Sequence, residues 1–303
     1  MYKLKKYDTH QLSQKRDDWQ NRRTILQNQL SQHSSRRRKV VQAAAKTFPI
    51  SLFDAWGRKN MHNIKHNEVT FYFDNLPKKF HNFSILHISD PHFNADTQLT
   101  DSICNIVANT NCDLTVLTGD YQFDYGNHSL ESINGVIEVA NATSSQLPLL
   151  AILGNHDQTD IVSHCESERI NFLTNQLVSI QREDEEIYIY GIDETLLPDN
   201  FKKNQEQFGI CLGHSVEYAE PIAKQGWDLM LGGHSHGGQI CLPFNIPIFL
   251  SIKFNRHIAI GQWNDFGMQG YTSKGCGTSG LPWRFNCNAE ITTIYLKNSY
   301  KAE

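Results

Sequence analysis

Eight side chains that can bind a metal ion or transfer a proton follow five short apolar runs of the chain. They are Asp90, His92, Asp120, Asn155, His156, His214, His234 and His236. Carboxylate and amide oxygens combined with imidazole nitrogens favour Mn²⁺, Fe or Zn²⁺ over an all-oxygen calcium site or a thiolate site. This set is too large for one tetrahedral ion and fits two ions that share a bridging carboxylate. The residue types therefore predict a site for two divalent ions, with Mn²⁺ favoured over Fe or Zn²⁺.

Two such ions, about 3.5–4 Å apart, can generate hydroxide near neutral pH and hold the attacking and leaving oxygens of a displacement at phosphorus. A lone histidine at a strand end is more often structural than functional. Five of them with aspartate and asparagine partners favour a metal site instead. His87, inside the first apolar run, is interpreted as a packed structural histidine.

In the first half of the chain, short apolar runs alternate with helical stretches, as in a parallel sheet. Apolar runs at residues 83–89, 114–118 and 147–153 are separated by helical stretches at about 98–110 and 128–143. Short apolar runs joined by helices are typical of buried parallel strands with right-handed crossovers. Ligands bind at the carboxyl ends of such strands, and the polar clusters all follow those ends.

The second half repeats this pattern less regularly. Residues 186–192, 209–213 and 228–232 are predicted strands, and the last two end at His214 and at the segment 233–238. The runs 257–261 and 290–296 are also strand-like. Together these segments predict a second sheet.

The N-terminal segment differs from the rest in charge. Residues 1–46 hold twelve lysines and arginines against three acids, although the whole chain has a net charge of −4. A thin apolar stripe over residues 7–47 predicts one or two amphipathic helices. We place a domain boundary near residue 65, between a basic extension (1–65) and the main domain (66–303). The basic run at 36–39 is either a solvated arm or a contact with an anionic membrane.

The composition of the chain limits the cellular compartments and the classes of binding partner that we expect. The seven cysteines form no CxxC pair, which predicts buried thiols in a reducing compartment. No apolar run approaches the ~20 residues that span a bilayer, and the N-terminus is polar. We expect a cytoplasmic protein, peripheral to the inner membrane if the basic segment binds lipid. The net charge gives no case for nucleic-acid binding.

Five motif blocks follow one another in a fixed order. They are Asp90-x-His92, Gly119-Asp120, Gly154-Asn155-His156-Asp157, His214 and Gly233-His234-Ser235-His236. Together they resemble the calcineurin-like metallophosphoesterase superfamily over about residues 83–295. The expected fold is an α/β four-layer sandwich, in which two mixed sheets pack face to face with helices outside and the metal site lies along one edge.

The resemblance also implies a role for each residue. Asp120 would bridge two metal ions, one completed by Asp90, His92 and His236 and the other by Asn155, His214 and His234. His156 would contact the phosphate and protonate the leaving oxygen, with Asp157 behind it as the orienting group. The implied mechanism is attack of a metal-bridging hydroxide on phosphorus. A proton donor near neutral pH is a natural role for imidazole.

Two further segments narrow the resemblance. Residues 234–243 (HSHGGQICLP) and 274–285 (KGCGTSGLPWRF) resemble a bacterial branch with YaeI/YkuE-type phosphodiesterases and a form of UDP-2,3-diacylglucosamine hydrolase from lipid A synthesis. This branch implies a phosphodiester or diphosphate substrate, such as the lipid-linked nucleotide UDP-2,3-diacylglucosamine. Arg284 either holds a phosphate or diphosphate or is a structural loop arginine.

Two rival interpretations come from other classes. The first is a non-catalytic scaffold on the same fold, but such proteins tend to lose His156 or a ligand, and here every position is filled. The second is a dimetal hydrolase of a C–N bond, which the complete set of phosphoesterase blocks argues against.

Overall fold

A computed structural model describes most of the chain. The described residues are 2–7, 23, 25, 50–124, 129–193 and 202–301. The helices among them are α1 (Ile50–His62), α2 (Thr97–Ala108), α3 (Leu130–Ala142), α4 (Asp160–Cys165) and α5 (Ala219–Lys224). The strands are β1 (Tyr2–Lys6), β2 (Lys65–Phe73), β3 (Phe83–Ile88), β4 (Leu114–Leu117), β5 (Leu149–Ala151), β6 (Ile170–Phe172), β7 (Gln176–Arg182), β8 (Glu185–Gly191), β9 (Gly209–Ser215), β10 (Leu229–Gly233), β11 (Cys241–Leu242), β12 (Ile246–Pro247), β13 (Gly261–Asp265), β14 (Met268–Thr272) and β15 (Glu290–Asn298).

Most of these strands form two mixed sheets. The order of the first is β2-β15-β3-β4-β5-β6, and that of the second is β1-β7-β8-β9-β10-β14-β13. In the first sheet β3, β4, β5 and β6 run parallel, as the helices between the predicted strands require. In the second, β8, β9, β10 and β14 are parallel and the outer pairs are antiparallel.

The layers follow from the alternation of side chains along each strand. In β3, Ile85 points into the core between the two sheets, whereas Leu86 and Ile88 pack under α2 and α3. The outer face of the second sheet is covered by a third apolar cluster, in which Met230 of β10 packs with Ile222 of α5. The predicted four-layer α/β sandwich is therefore confirmed.

Two strand predictions need correction. The run 257–261 is not a strand, because Arg256–Ile258 forms a 3₁₀ turn after left-handed Asn255 and β13 begins only at Gly261. The run 290–296 is a strand, but β15 pairs with β2 and β3 in the first sheet. Most of its residues are buried, which suits an inner position of a sheet more than an edge.

The N-terminal residues that are described pack on the main domain. β1 extends the second sheet by pairing with β7, and Arg23 is buried. The basic run 36–39 and most of the helical stretch predicted over 7–47 lie outside the described residues. The boundary near residue 65 stays a prediction. Among the described residues, no helix is long and apolar enough to cross a membrane.

Candidate metal centre

Five of the seven predicted ligands lie where the backbone has an unusual conformation. Asp90, His92, Asp120, His234 and His236 all have positive φ, between 45° and 68°. Such values are uncommon for residues other than glycine and persist only where the surroundings impose them. The turns follow β3, β4 and β10, so that polar side chains from both sheets converge on one edge.

Glycine allows this convergence at two close approaches. A Cβ atom at Gly154 would collide with Oδ1 of Asp120. A Cβ at Gly233 would collide with the Ser89 hydroxyl and with Oδ2 of Asp90. Only glycine lets the backbone pass this close to the carboxylates.

The first cluster is buried at the end of β3. One ligand atom from each of four side chains lies within 4.8 Å of the others: Asp90, His92, Asp120 and His236. Nε2 of His236 is 3.3 Å from Nε2 of His92 and 3.4 Å from Oδ1 of Asp90. This cluster can hold one divalent ion.

The second cluster shares Asp120 with the first. Its other members are His214 and His234, and Nε2 of His214 lies 3.2 Å from Nδ1 of His234. The amide oxygen of Asn155 lies 3.1 Å from the same His214 nitrogen. The structure thus brings together all seven side chains predicted as ligands, in two groups that meet at Asp120.

The hydrogen bonds of His214 test whether a cation fits here. Its Nδ1 lies 2.7 Å from the carbonyl of Thr118, which can only accept, so the neutral ring presents a lone pair at Nε2. That lone pair faces Oδ2 of Asp120 at 3.3 Å and Oδ1 of Asn155 at 3.1 Å. Electron-rich atoms this close repel one another unless a cation lies between them. The donor set therefore fits a bound divalent ion.

In the first cluster, the hydrogen bond and the pKa of His92 also fit a bound cation. Nδ1 of His92 donates to the carbonyl of Gln122 at 2.7 Å, which fixes the ring and leaves Nε2 free to coordinate. Burial lowers the pKa of His92 to about 3, so its ring is neutral near pH 7. Burial raises the pKa of Asp90 to about 6.

His156 lies at the rim of the shared carboxylate. Its Nε2 is 3.9 Å from Oδ2 of Asp120, and its side chain is 11% exposed. Nδ1 lies 2.8 Å from the carbonyl of Phe123, to which it donates. The ring is therefore held from behind, with Nε2 turned towards the metal centre and towards anything that enters it.

The orienting role of Asp157 stays a prediction. The structure shows that Nδ1 of His156 contacts the carbonyl of Phe123. Asp157 accepts backbone N–H bonds from Asp120, Tyr121 and Gly154, each at 2.7 Å. It ties the turn after β4 to the turn after β5, and so positions Asp120, the carboxylate that the two clusters share.

Arg23 belongs to the same network, although sequence reasoning did not single it out. It makes a buried ion pair with Asp193, with Nη1 2.6 Å from Oδ2. Nε donates to the carbonyl of Asp157 at 3.1 Å, and Nη2 donates to the carbonyl of Gly154. Arg23 thus holds the 154–157 turn from below. No spacing within the polar, basic N-terminal segment distinguishes it from the arginines around it.

The structure favours the structural interpretation of Arg284. Its side chain is fully buried, and its guanidinium donates to the carbonyls of Lys274 (2.7 Å), Gly275 (3.1 Å) and Gly277 (3.0 and 2.6 Å). These bonds hold the loop 274–285 beneath His236, and they use guanidinium donors that a phosphate would need. His87 is also fully buried, with Nε2 2.8 Å from the Thr118 hydroxyl, as its packed interpretation requires.

Comparisons of the sequence relate this chain to a known family. A family model described as calcineurin-like phosphoesterase matches residues 83–238. The uncharacterized metallophosphoesterase YkuE of Bacillus subtilis is 28% identical over 255 residues, which cover 78% of this chain and 87% of YkuE. Phosphodiesterase YaeI of Escherichia coli is 28% identical over 281 residues, covering 86% of this chain and 98% of YaeI. Among solved structures, TT1561 of Thermus thermophilus aligns with 64% of this chain and 90% of its own, at 12% identity and a TM-score of 0.42.

Proposed function

Since this chain belongs to the calcineurin-like phosphoesterase family, in the branch of YkuE and YaeI, we propose that it hydrolyses a phosphodiester or diphosphate at the Asp120 centre. Its class, a metallophosphoesterase, follows from the family and the relatives. The observation that carries the proposal is the pair of buried ligand clusters sharing one carboxylate, with His156 beside it.

The proposal assigns two divalent ions to this centre, with Mn²⁺ favoured over Fe or Zn²⁺. Asp120 would contact both, with Asp90, His92 and His236 on one side and Asn155, His214 and His234 on the other. When bound, such a pair supplies hydroxide near neutral pH and neutralises charge on the phosphoryl oxygens. The fixed tautomers of His92 and His214 support this assignment, because each ring offers its lone pair inward.

His156 is the proposed proton donor. Because its Nδ1 donates to Phe123, protonation at Nε2 produces an imidazolium whose second N–H points into the centre. That N–H can donate to the oxygen that leaves phosphorus, and the neutral ring then remains. Asp157 and Arg23 hold the turn from which His156 extends.

The finer substrate hypothesis is a lipid-linked nucleotide such as UDP-2,3-diacylglucosamine. It rests on the resemblance of segments 234–243 and 274–285 to a branch that includes such hydrolases. We further propose that the protein is cytoplasmic and contacts an anionic membrane peripherally through its basic N-terminal segment. The printed name of YaeI, a phosphodiesterase, supports the diester part of this hypothesis.

One experiment tests the function directly. Metal content per chain is measured together with Mn²⁺-dependent turnover of bis(p-nitrophenyl) phosphate, p-nitrophenyl phosphate and UDP-2,3-diacylglucosamine. We expect about two metal ions per chain, as a shared-carboxylate centre requires, and turnover of the diester or of the UDP-lipid. Full metal loading without turnover of any substrate would contradict the proposal and favour the scaffold alternative.

A further inference from the structure

A short hairpin leaves the two large sheets directly after the turn that carries His236. Its strands β11 and β12 pair only with each other among the described strands, with Leu242 opposite Ile246. This register puts Phe244 at the apex, where it is 93% exposed. The hairpin and the segment after it, residues 241–254, are called the apolar hairpin below.

The apolar hairpin exposes more large apolar side chains than any other described stretch of similar length. They are Leu242, Phe244, Ile246, Ile248, Phe249 and Phe254, each more than half exposed. Single exposed apolar residues are ordinary on protein surfaces, but a contiguous exposed group marks an interaction site.

The backbone of the apex supports the same conclusion. Phe244 and Asn245 have φ values of 68° and 58°. Positive φ is a genuine outlier for a bulky residue and costs free energy. The turn is closed by the pairing of Leu242 with Ile246, and it leaves the side chain of Phe244 93% exposed. A large apolar side chain at the tip of a hairpin is available to a partner outside the molecule.

The charge of the region indicates which kind of partner. Between Cys241 and Asn264 the sequence contains no aspartate or glutamate, although the whole chain has a net charge of −4. The cations Lys253 and Arg256 are both exposed. Apolar side chains flanked by cations complement a bilayer with anionic headgroups, where the cations meet the headgroups and the apolar residues enter the acyl boundary.

The hairpin is also attached to the metal centre. The hydroxyl of Ser251 donates to the carbonyl of His234 at 3.1 Å. Gly238, two residues after His236, is packed so closely on Pro247 that a Cβ there would collide with it. A surface that receives the hairpin is therefore held next to the second ligand cluster.

We propose that the apolar hairpin docks on an anionic lipid bilayer and brings a phosphoester at the bilayer surface to the metal centre. The protruding apex suits a deformable bilayer better than a preformed protein groove. The docking stands on the hairpin alone, and only the delivery of substrate rests on the proposed function.

The test is flotation of the full chain with vesicles of phosphatidylcholine, with and without phosphatidylglycerol. Wild type is compared with Phe244→Ser/Phe249→Ser and with the control Leu130→Ser, which changes an apolar residue 72% exposed on α3. We expect wild type and the control to bind the anionic vesicles equally. The double variant is expected to bind at least about tenfold more weakly, because binding follows the apolar area buried. Thermal melting and metal content establish that each variant is folded.

Three outcomes would overturn the docking. One is equal binding by the double variant and wild type. Another is loss of binding only in the variant Lys253→Gln/Arg256→Gln, which would mean that charge makes the contact and the exposed apolar side chains do not. The third is a wild-type dimer in light scattering that the double variant loses while no form binds vesicles. Turnover of the three substrates named above separates the two proposals, because vesicle binding without turnover of any of them rejects the function alone.

Discussion

The metal centre and the apolar hairpin are neighbours in the chain and opposites in environment. His236 (φ 49°) and Phe244 (φ 68°) both have a left-handed backbone. His236 is 6% exposed and lies among predicted ligands from both sheets, whereas Phe244 is 93% exposed. At His236 this conformation is held by contacts inside the fold. At Phe244 it closes a two-stranded hairpin and leaves the side chain in solvent.

A second layer of hydrogen bonds lies beneath the predicted ligands. Asp157 accepts hydrogen bonds from backbone N–H groups of the turns after β4 and β5, and Arg23 donates to carbonyls of the turn after β5. Charged groups that deep need partners, and Asp193 provides one for Arg23. Substitutions among the buried contacts are therefore expected to damage the metal centre. Substitutions in the apolar hairpin are expected to weaken only its contact with a partner.

The largest effect is expected at the shared carboxylate. Asp120→Asn removes a charge that both clusters use, and we expect metal loading to fall and turnover of the diester to drop about a thousandfold or more. Metal analysis and steady-state kinetics measure both quantities. Asp101→Asn, an exposed change on α2, is the matched control. Normal loading and turnover in Asp120→Asn would contradict the shared-carboxylate centre.

His156→Ala separates proton transfer from metal binding. We expect turnover to fall by about 10²–10⁴-fold with metal content unchanged, because we propose that the ring acts as a proton donor and not as a ligand. His164→Ala, at an exposed position on α4, is the control. Loss of metal along with turnover would make His156 a ligand, and unchanged turnover would remove its role as the acid.

Arg23→Gln tests the contact beneath the site. Removing one partner of a buried ion pair leaves the other charge uncompensated, and we expect a loss of about 3–5 kcal/mol in the free energy of unfolding. The control is Arg58→Gln, which breaks an exposed pair with Asp54 and should cost at most about 1 kcal/mol. Urea unfolding measures both. Similar costs for the two variants would show that the Arg23–Asp193 pair contributes no more than a surface pair, whereas partial recovery in Arg23→Gln/Asp193→Asn would support it.

The smallest effect is expected at the hairpin apex. Phe244→Ala should change the free energy of unfolding by less than about 0.5 kcal/mol, because its ring is almost wholly exposed. Phe83→Ala, at a fully buried position between the sheets, should cost about 3–5 kcal/mol. Thermal or urea unfolding of the pair measures the contrast. A large cost at Phe244 would mean that the apex packs within the fold, and the comparison would fail.

Much of the site was predictable because its residues follow short apolar runs. Parallel strands bring their carboxyl ends to one edge, so Asp90, Asp120 and Asn155 were expected to meet there. Local periodicity does not specify sheet partners, however. It therefore placed the run 290–296 in the second sheet, whereas β15 lies beside β3. The same periodicity predicted a strand at 257–261, although the chain forms a 3₁₀ turn at Arg256–Ile258.

The sequence by itself determined the donor types, their order and the strand ends that carry them, because these depend on residue chemistry and local periodicity. Only the tertiary structure decided that Phe123 holds His156, that Asp157 binds backbone amides, and that Arg23 reaches Asp193 across 170 residues of chain. It also decided that Arg284 is enclosed and Phe244 exposed. Such contacts depend on how distant segments pack, and residue type and spacing do not encode that packing in any locally readable pattern.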